Sequence, residues 1–111
     1  MDLLTQKLGY QFKNSSLLVQ AMTHPSRASE HRNEPADNQR LEFLGDAVIQ
    51  VILTKHLYCS LPDRAEGSLT KIRASLVSKQ ALASCARRLG LGEYLRLGKG
   101  EEASGGRDRD S

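Results

Sequence analysis

The sequence predicts an all-α domain, a small helical bundle, and three observations carry that prediction. Between Leu41 and Thr54 the only polar residues are Glu42, Asp46, Gln50 and Thr54. They recur every fourth residue, so a helix gathers them into one slowly drifting stripe with apolar side chains around the rest. A second helical period runs through Leu69, Ile72, Leu76 and Val77, and a third through Leu82, Cys85, Ala86 and Leu89. The third has its own start and stop, Ser78 as a cap and Gly90 as a terminator. A chain of 111 residues, 39% of them hydrophobic, suits one domain with a modest core.

The elements follow in order. Leu3, Leu4, Leu8 and Tyr10 make a short amphipathic start that ends near Gly9. Asn14 or Ser15 caps a second helix with Leu17, Leu18 and Ala21 on its apolar face. It ends at Thr23-His-Pro-Ser26, because Pro25 disfavours helix at His24. A lone histidine beside a turn, with nothing to pair with, reads as structural. Residues 27–39, with His31, Asn33, Pro35, Asp37 and Asn38, read as an exposed loop whose last residues cap the central helix. That helix should run to about Tyr58, and being apolar over most of its circumference it should be buried. Ser60-Leu-Pro-Asp63 breaks the chain, and Asp63 or Arg64 opens the next helix, with Lys71 and Arg73 off its apolar stripe. After Gly90, residues 91–102 form a turn-rich connector, and the polar stretch 103–111 should be mobile. Gly98-x-Gly100 is no nucleotide loop, since no strand precedes it and no Lys-Ser/Thr follows.

Charge and composition narrow the function classes. No apolar run reaches the roughly 18 residues of a membrane span. The start, Met1 to Lys7, lacks the basic and then apolar segments of a secretory signal. Cys59 and Cys85 lack metal spacing and read as reduced, half-buried thiols of a cytoplasmic protein. Residues 1–63 hold six Lys/Arg against seven Asp/Glu, and residues 64–111 hold ten against six. The second half is therefore the basic one, which suits a phosphate backbone or simply a solvated surface. Arg87 and Arg88 are adjacent, must splay apart, and read as solvated.

The chemistry concentrates at Glu42 and Asp46. At i and i+4 the two carboxylates share a face and repel by a few tenths of a kcal/mol even in water. No Lys or Arg stands three or four residues from either acid. A hard divalent cation, a distant structural Arg or Lys, or a retained proton would each relieve the repulsion.

The run Arg40-Leu-Glu-Phe-Leu-Gly-Asp-Ala-Val48 closely resembles the signature of the ribonuclease III family. The resemblance continues in Leu8-Gly-Tyr10 to Thr23-His-x-Ser26, in Glu66-Gly-x-Leu-Thr-x-x-Arg-Ala-x-Leu-Val-Ser78, and in the Gly-x-Gly-Glu and Gly-Gly of residues 98–106. It implies a ribonuclease III endonuclease-domain fold of bacterial type and a Mg²⁺-dependent hydrolase, with Mn²⁺ as a substitute ion. The implied substrate is double-stranded RNA, including rRNA and mRNA precursors, cut by a cytoplasmic homodimer without membrane attachment. Residues matching Glu42 and Asp46 are metal-binding or catalytic in that family, Glu66 matches an active-centre position, and Phe43 matches a residue that contacts the partner subunit. Taken alone, an aromatic so placed is more often core. Gln39 departs from the family, which usually has a Glu there. The family's next segment supplies an Asp and, three residues later, a Glu. Residues 1–111 are thus expected to be one incomplete catalytic domain, interrupted before the last helices and inactive alone. Asp108 and Asp110 match the linker before those acids and take no ligand role. The competing reading is a non-catalytic relative, a dimerisation or RNA-binding module on the same fold.

Overall fold

A computed structural model describes residues 1–31 and 36–111. Seven α-helices follow one another among the described residues: α1 (Asp2–Leu8), α2 (Ser15–Ala21), α3 (Pro25–Glu30), α4 (Gln39–Ser60), α5 (Glu66–Leu76), α6 (Lys79–Leu89) and α7 (Lys99–Ala103). Short 3₁₀ turns cover Leu91–Tyr94 and Gly106–Asp108. The all-α expectation holds, with one parallel bridge, Thr23 to Arg96, as the extended pairing among the described residues.

Local signals set most boundaries. The Asn14 side chain accepts from the Ser16 amide at the head of α2, and Ser78 accepts from Ala81 at the head of α6. Gly9 and Gly90 close α1 and α6 in the left-handed region at φ 66°. Pro25 occupies the first turn of α3, where a missing amide costs nothing. It therefore ends one helix and begins another, so residues 27–30 are helical and not loop. Asn33 and Pro35 lie outside the described residues. Helix α5 opens at Glu66, later than Asp63 or Arg64, because a turn between Leu61 and Arg64 intervenes.

The core lies where the two ends of the chain meet. Leu4, Leu18 and Met22 are buried against Phe12, Leu91, Tyr94 and Leu95. Residues 96–99 lace this core to α3: the Arg96 amide donates to Met22 O (2.7 Å), the His24 amide to Arg96 O (3.0 Å), and the Gly98 amide to Ser26 Oγ (2.8 Å). The polar stretch beyond is folded, contrary to its composition. Arg107 donates to the carbonyls of Gly92 and Leu95 while pairing with Glu102, Arg109 pairs with Glu101, and Arg87 with Asp110. Arg87 is thus an anchor for the chain's last residues.

Helix α4 departs most from expectation. At 22 residues it is about 33 Å long, and it packs against α5 through its C-terminal half, where Leu57 is buried. Its remaining apolar surface is open: Phe43 is 84% exposed, Val51 68% and Leu44 60%. The radius of gyration, 16.2 Å, exceeds the ~13 Å of a compact domain of this length. An all-round apolar pattern states a need for cover, but not that the same 111 residues provide it. Both cysteines are also exposed and free, not half-buried.

Candidate active site

Glu42 lies in the first turn of α4, where the positive end of the helix dipole favours an acid. Its amide makes the first i to i−4 bond of the helix, donating to Asn38 O at 2.8 Å. Asp46 follows one turn later. Both side chains are exposed, and among the described residues neither has a hydrogen-bond or ion-pair partner. Of the three remedies for their repulsion, the distant structural cation is therefore not found among the described residues. Two bare carboxylates one turn apart on a rigid helix are hard oxygen donors of the kind Mg²⁺ takes along with several waters. The pair fits such an ion as part of its coordination. Among the described residues no group of three or more Asp, Glu, His or Cys converges on one point.

The other candidates sit elsewhere. Glu66 is the first residue of α5 and is exposed. It lines an open groove of about 800 Å³ with Thr54, Leu57, Tyr58, Arg64 and Arg73. Thr54 stands eight residues beyond Asp46, about 12 Å along the helix, so the structure does not bring Glu66 to the pair. Arg73, off the apolar stripe as expected, turns toward α4 and donates to Thr54 Oγ1 at 2.8 Å. His24 caps α3, its Nδ1 accepting from the Ser26 amide at 3.1 Å, which bears out the structural reading. Asp108 is exposed and Asp110 is taken up by Arg87. Gln39 heads α4 beside Gln20, Arg40, Leu41, Phe43 and Leu44, which line a shallow depression. Phe43 projects from the same turn as Glu42 and belongs to no core within this chain.

The head of α4 is capped by one of the two residues the sequence offered, Asp37 or Asn38, and is also tied to the end of α2, which the sequence did not suggest. The Asp37 carboxylate accepts from the Gln39 amide (3.0 Å) and so supplies the cap. Asn38 makes no side-chain cap. Its Nδ2 donates to Ala21 O and its amide to Thr23 O, both at 3.0 Å. Thr23 is fully buried and accepts from Arg96 through Oγ1 at 3.0 Å. The one sequence signal for this lacing was the alternation Leu95-Arg-Leu97, an extended pattern inside a stretch read as turns.

Residues 14–111 match the Ribonuclease-III-like family. The chain belongs to the ribonuclease III family. It is 54% identical over 108 residues to Ribonuclease 3 of Caldanaerobacter subterraneus subsp. tengcongensis, covering 97% of this chain and 47% of that protein. Ribonuclease 3 of Desulforamulus reducens is 54% identical over 109 residues, covering 97% and 44%. This ribonuclease III family chain thus spans about half the length of the curated relatives it matches. The fold is similar to the ribonuclease III nuclease domain of Campylobacter jejuni, with a TM-score of 0.90 and 38% identity over 98% of this chain and 73% of that one. That structure is described as showing flexibility in a region involved in dimer formation. No described helix of the present chain is long and apolar enough to cross a membrane.

Proposed function

We propose that this chain carries part of the active centre of a Mg²⁺-dependent endoribonuclease that cleaves double-stranded RNA, rRNA and mRNA precursors among its substrates. It acts as a homodimer in the cytoplasm. The observation that carries the reading is the pair Glu42 and Asp46, exposed, one helical turn apart and, among the described residues, free of any protein cation. Family membership supplies the reaction class, and the pair supplies the chemistry.

Glu42 and Asp46 would hold the ion, Mg²⁺ or Mn²⁺. A bound divalent ion activates water and offsets the negative charge that builds on the phosphate and the leaving oxygen. The chain's own part is placement. The α4 backbone fixes both carboxylates at one spacing, so no side chain has to search for its partner when the ion arrives. Two carboxylates are half of the four oxygen-bearing side chains that the family resemblance implies, and the others are to be supplied from outside the described residues. Duplex RNA would be read by backbone and 2′-hydroxyl contacts, since its major groove is too narrow for side chains. Phe43, exposed beside Glu42, serves the contact between subunits, and a two-fold dimer presents one such centre to each strand. Glu66 can join an active centre only across a surface that this chain does not itself form.

The decisive experiment is Asp46→Asn in the protein with its full ligand set. Cleavage of duplex RNA is lost while binding survives, because binding is mostly phosphate electrostatics and the substitution removes a negative charge. Cleavage at the parent rate under limiting Mg²⁺ would exclude Asp46 as a ligand. A second reading, a non-catalytic dimerisation or RNA-binding relative, draws on Gln39 and on the open apolar face of α4. It expects unchanged behaviour from that same substitution.

A further inference from the structure

We infer that Asn38 is a positioning residue for the carboxylate pair, acting as a clamp that holds the first turn of α4 against the end of α2. The inference rests on the reading of Glu42 and Asp46 as metal ligands.

Asparagine before a helix ordinarily caps it with its own side-chain oxygen. Asn38 does not. Its side chain is spent on another element, Nδ2 to Ala21 O at 3.0 Å, and its amide on Thr23 O at 3.0 Å. A third tie runs beside these, from Gln20 Nε2 to Asp37 O at 3.3 Å. On its other side, the Asn38 carbonyl accepts the Glu42 amide at 2.8 Å. One residue therefore joins the α2 end to the hydrogen bond that places Glu42 on the helix.

The clamp matters because little else holds this end of α4. Of the apolar side chains there, Leu41 is only partly covered and Phe43 and Leu44 are 84% and 60% exposed, so packing fixes the first turn weakly. A helix end without tertiary support frays. If the first turn opens, Glu42 leaves the i, i+4 relation to Asp46 on which joint ligation depends, while Asp46, a turn further in, stays helical. The anchor itself is firm: Thr23 is fully buried, its Oγ1 donates to Val19 O at 2.6 Å and accepts from Arg96 at 3.0 Å.

Asn38→Ser tests the clamp and leaves the Asp37 cap in place, because serine suits the position before a helix about as well as asparagine but cannot reach Ala21 O with an amide donor. It also leaves the charge unchanged. Two readouts are followed by NMR on the whole chain. The first, which needs no metal, is hydrogen exchange at the Glu42 amide, with the Ala86 amide inside α6 as a control. The second is the Mn²⁺ concentration that half-broadens the Glu42 and Asp46 signals. Asn38→Ser should speed exchange at Glu42 about threefold to tenfold, the range commanded by one net hydrogen bond, with Ala86 unchanged. The Mn²⁺ midpoint should rise by a similar factor. Parent-like exchange at Glu42 in Asn38→Ser overturns the clamp. So does equal acceleration at Glu42 and Ala86, which marks general destabilisation. Faster exchange at Glu42 alone, with a parent chain that Mn²⁺ never broadens at Glu42 or Asp46, supports the clamp and overturns the metal reading.

Discussion

Gly98 and Gly100 stand two residues apart in one glycine-rich motif, and the structure assigns them opposite responses to alanine. Gly98 is buried, with φ −68° and ψ 162°, a conformation any residue adopts. Its constraint is space. A Cβ there would lie 2.6 Å from the Ser26 carbonyl oxygen and 2.8 Å from Glu30 Oε2. The glutamate could swing aside only by giving up the Lys99 amide, which it accepts at 2.9 Å, and the carbonyl is backbone of α3. Relief requires residues 96–99 to lift from α3, stretching the Gly98 amide to Ser26 Oγ bond of 2.8 Å. Overpacking of this kind costs about 1–3 kcal/mol and a weakened hydrogen bond about 1 more. At about 4 °C per kcal/mol for a chain of this size, Gly98→Ala should melt roughly 8–16 °C below the parent. Gly100 lies within α7 with nothing within 4 Å of its Cβ position. Gly100→Ala should leave the midpoint unchanged or raise it, since alanine favours helix by up to about 1 kcal/mol. The assay is thermal unfolding by far-ultraviolet circular dichroism at matched protein concentration. A Gly98→Ala midpoint within about 2 °C of the parent, or an equal fall for both variants, would refute the close approach of residues 96–99 to α3.

Three further outcomes are expected. The 111-residue chain purified alone should show negligible Mg²⁺-dependent cleavage of a long RNA duplex, since Glu42 and Asp46 are not joined by a third ligand among the described residues. Vigorous cleavage that Glu42→Gln abolishes would prove the centre complete as it stands. The Arg107 guanidinium hydrogen-bonded to Glu102 holds that carboxyl below the ordinary glutamate value. Its folded-state pKa being depressed, the pairing contributes above the ordinary value and is lost as pH falls through the lowered one. Carbon-13 titration of the Glu102 carboxyl should therefore run on the acid side of a free glutamate, and Arg107→Gln should return it to normal. A titration already normal in the parent contradicts the pairing. Phe43→Ser should shift the chain toward monomer in sedimentation velocity, since Phe43 is 84% exposed beside the carboxylates. An unchanged distribution removes Phe43 from the contact.

The sequence by itself determined the longer helices, though not α3 or α7, and the spacing of the two acids on α4. Four polar residues at every fourth position made residues 41–54 a helix and put Glu42 and Asp46 on one face, because helical periodicity is a property of the backbone alone. Ser78, Asn14, Gly9 and Gly90 marked boundaries that the structure reproduces, because caps act within a few residues. The signature around Glu42 placed the chain in its family. Tertiary structure decided everything that depends on distant partners. Hydrophobicity asked for burial of α4, yet Phe43, Leu44 and Val51 remain open because no other described element covers them. Composition marked residues 103–111 as loose, yet Arg107, Arg109 and Asp110 fasten them through carbonyls and charges up to 23 residues away. Glu66 shares an active-centre resemblance with Glu42 and Asp46 but begins a helix beside the other half of α4. Asn38 looked like a cap and is a clamp, since which acceptor its amide meets depends on where Ala21 lies, 17 residues away. Local pattern fixes what a side chain can do, and the path of the chain between elements fixes what it meets.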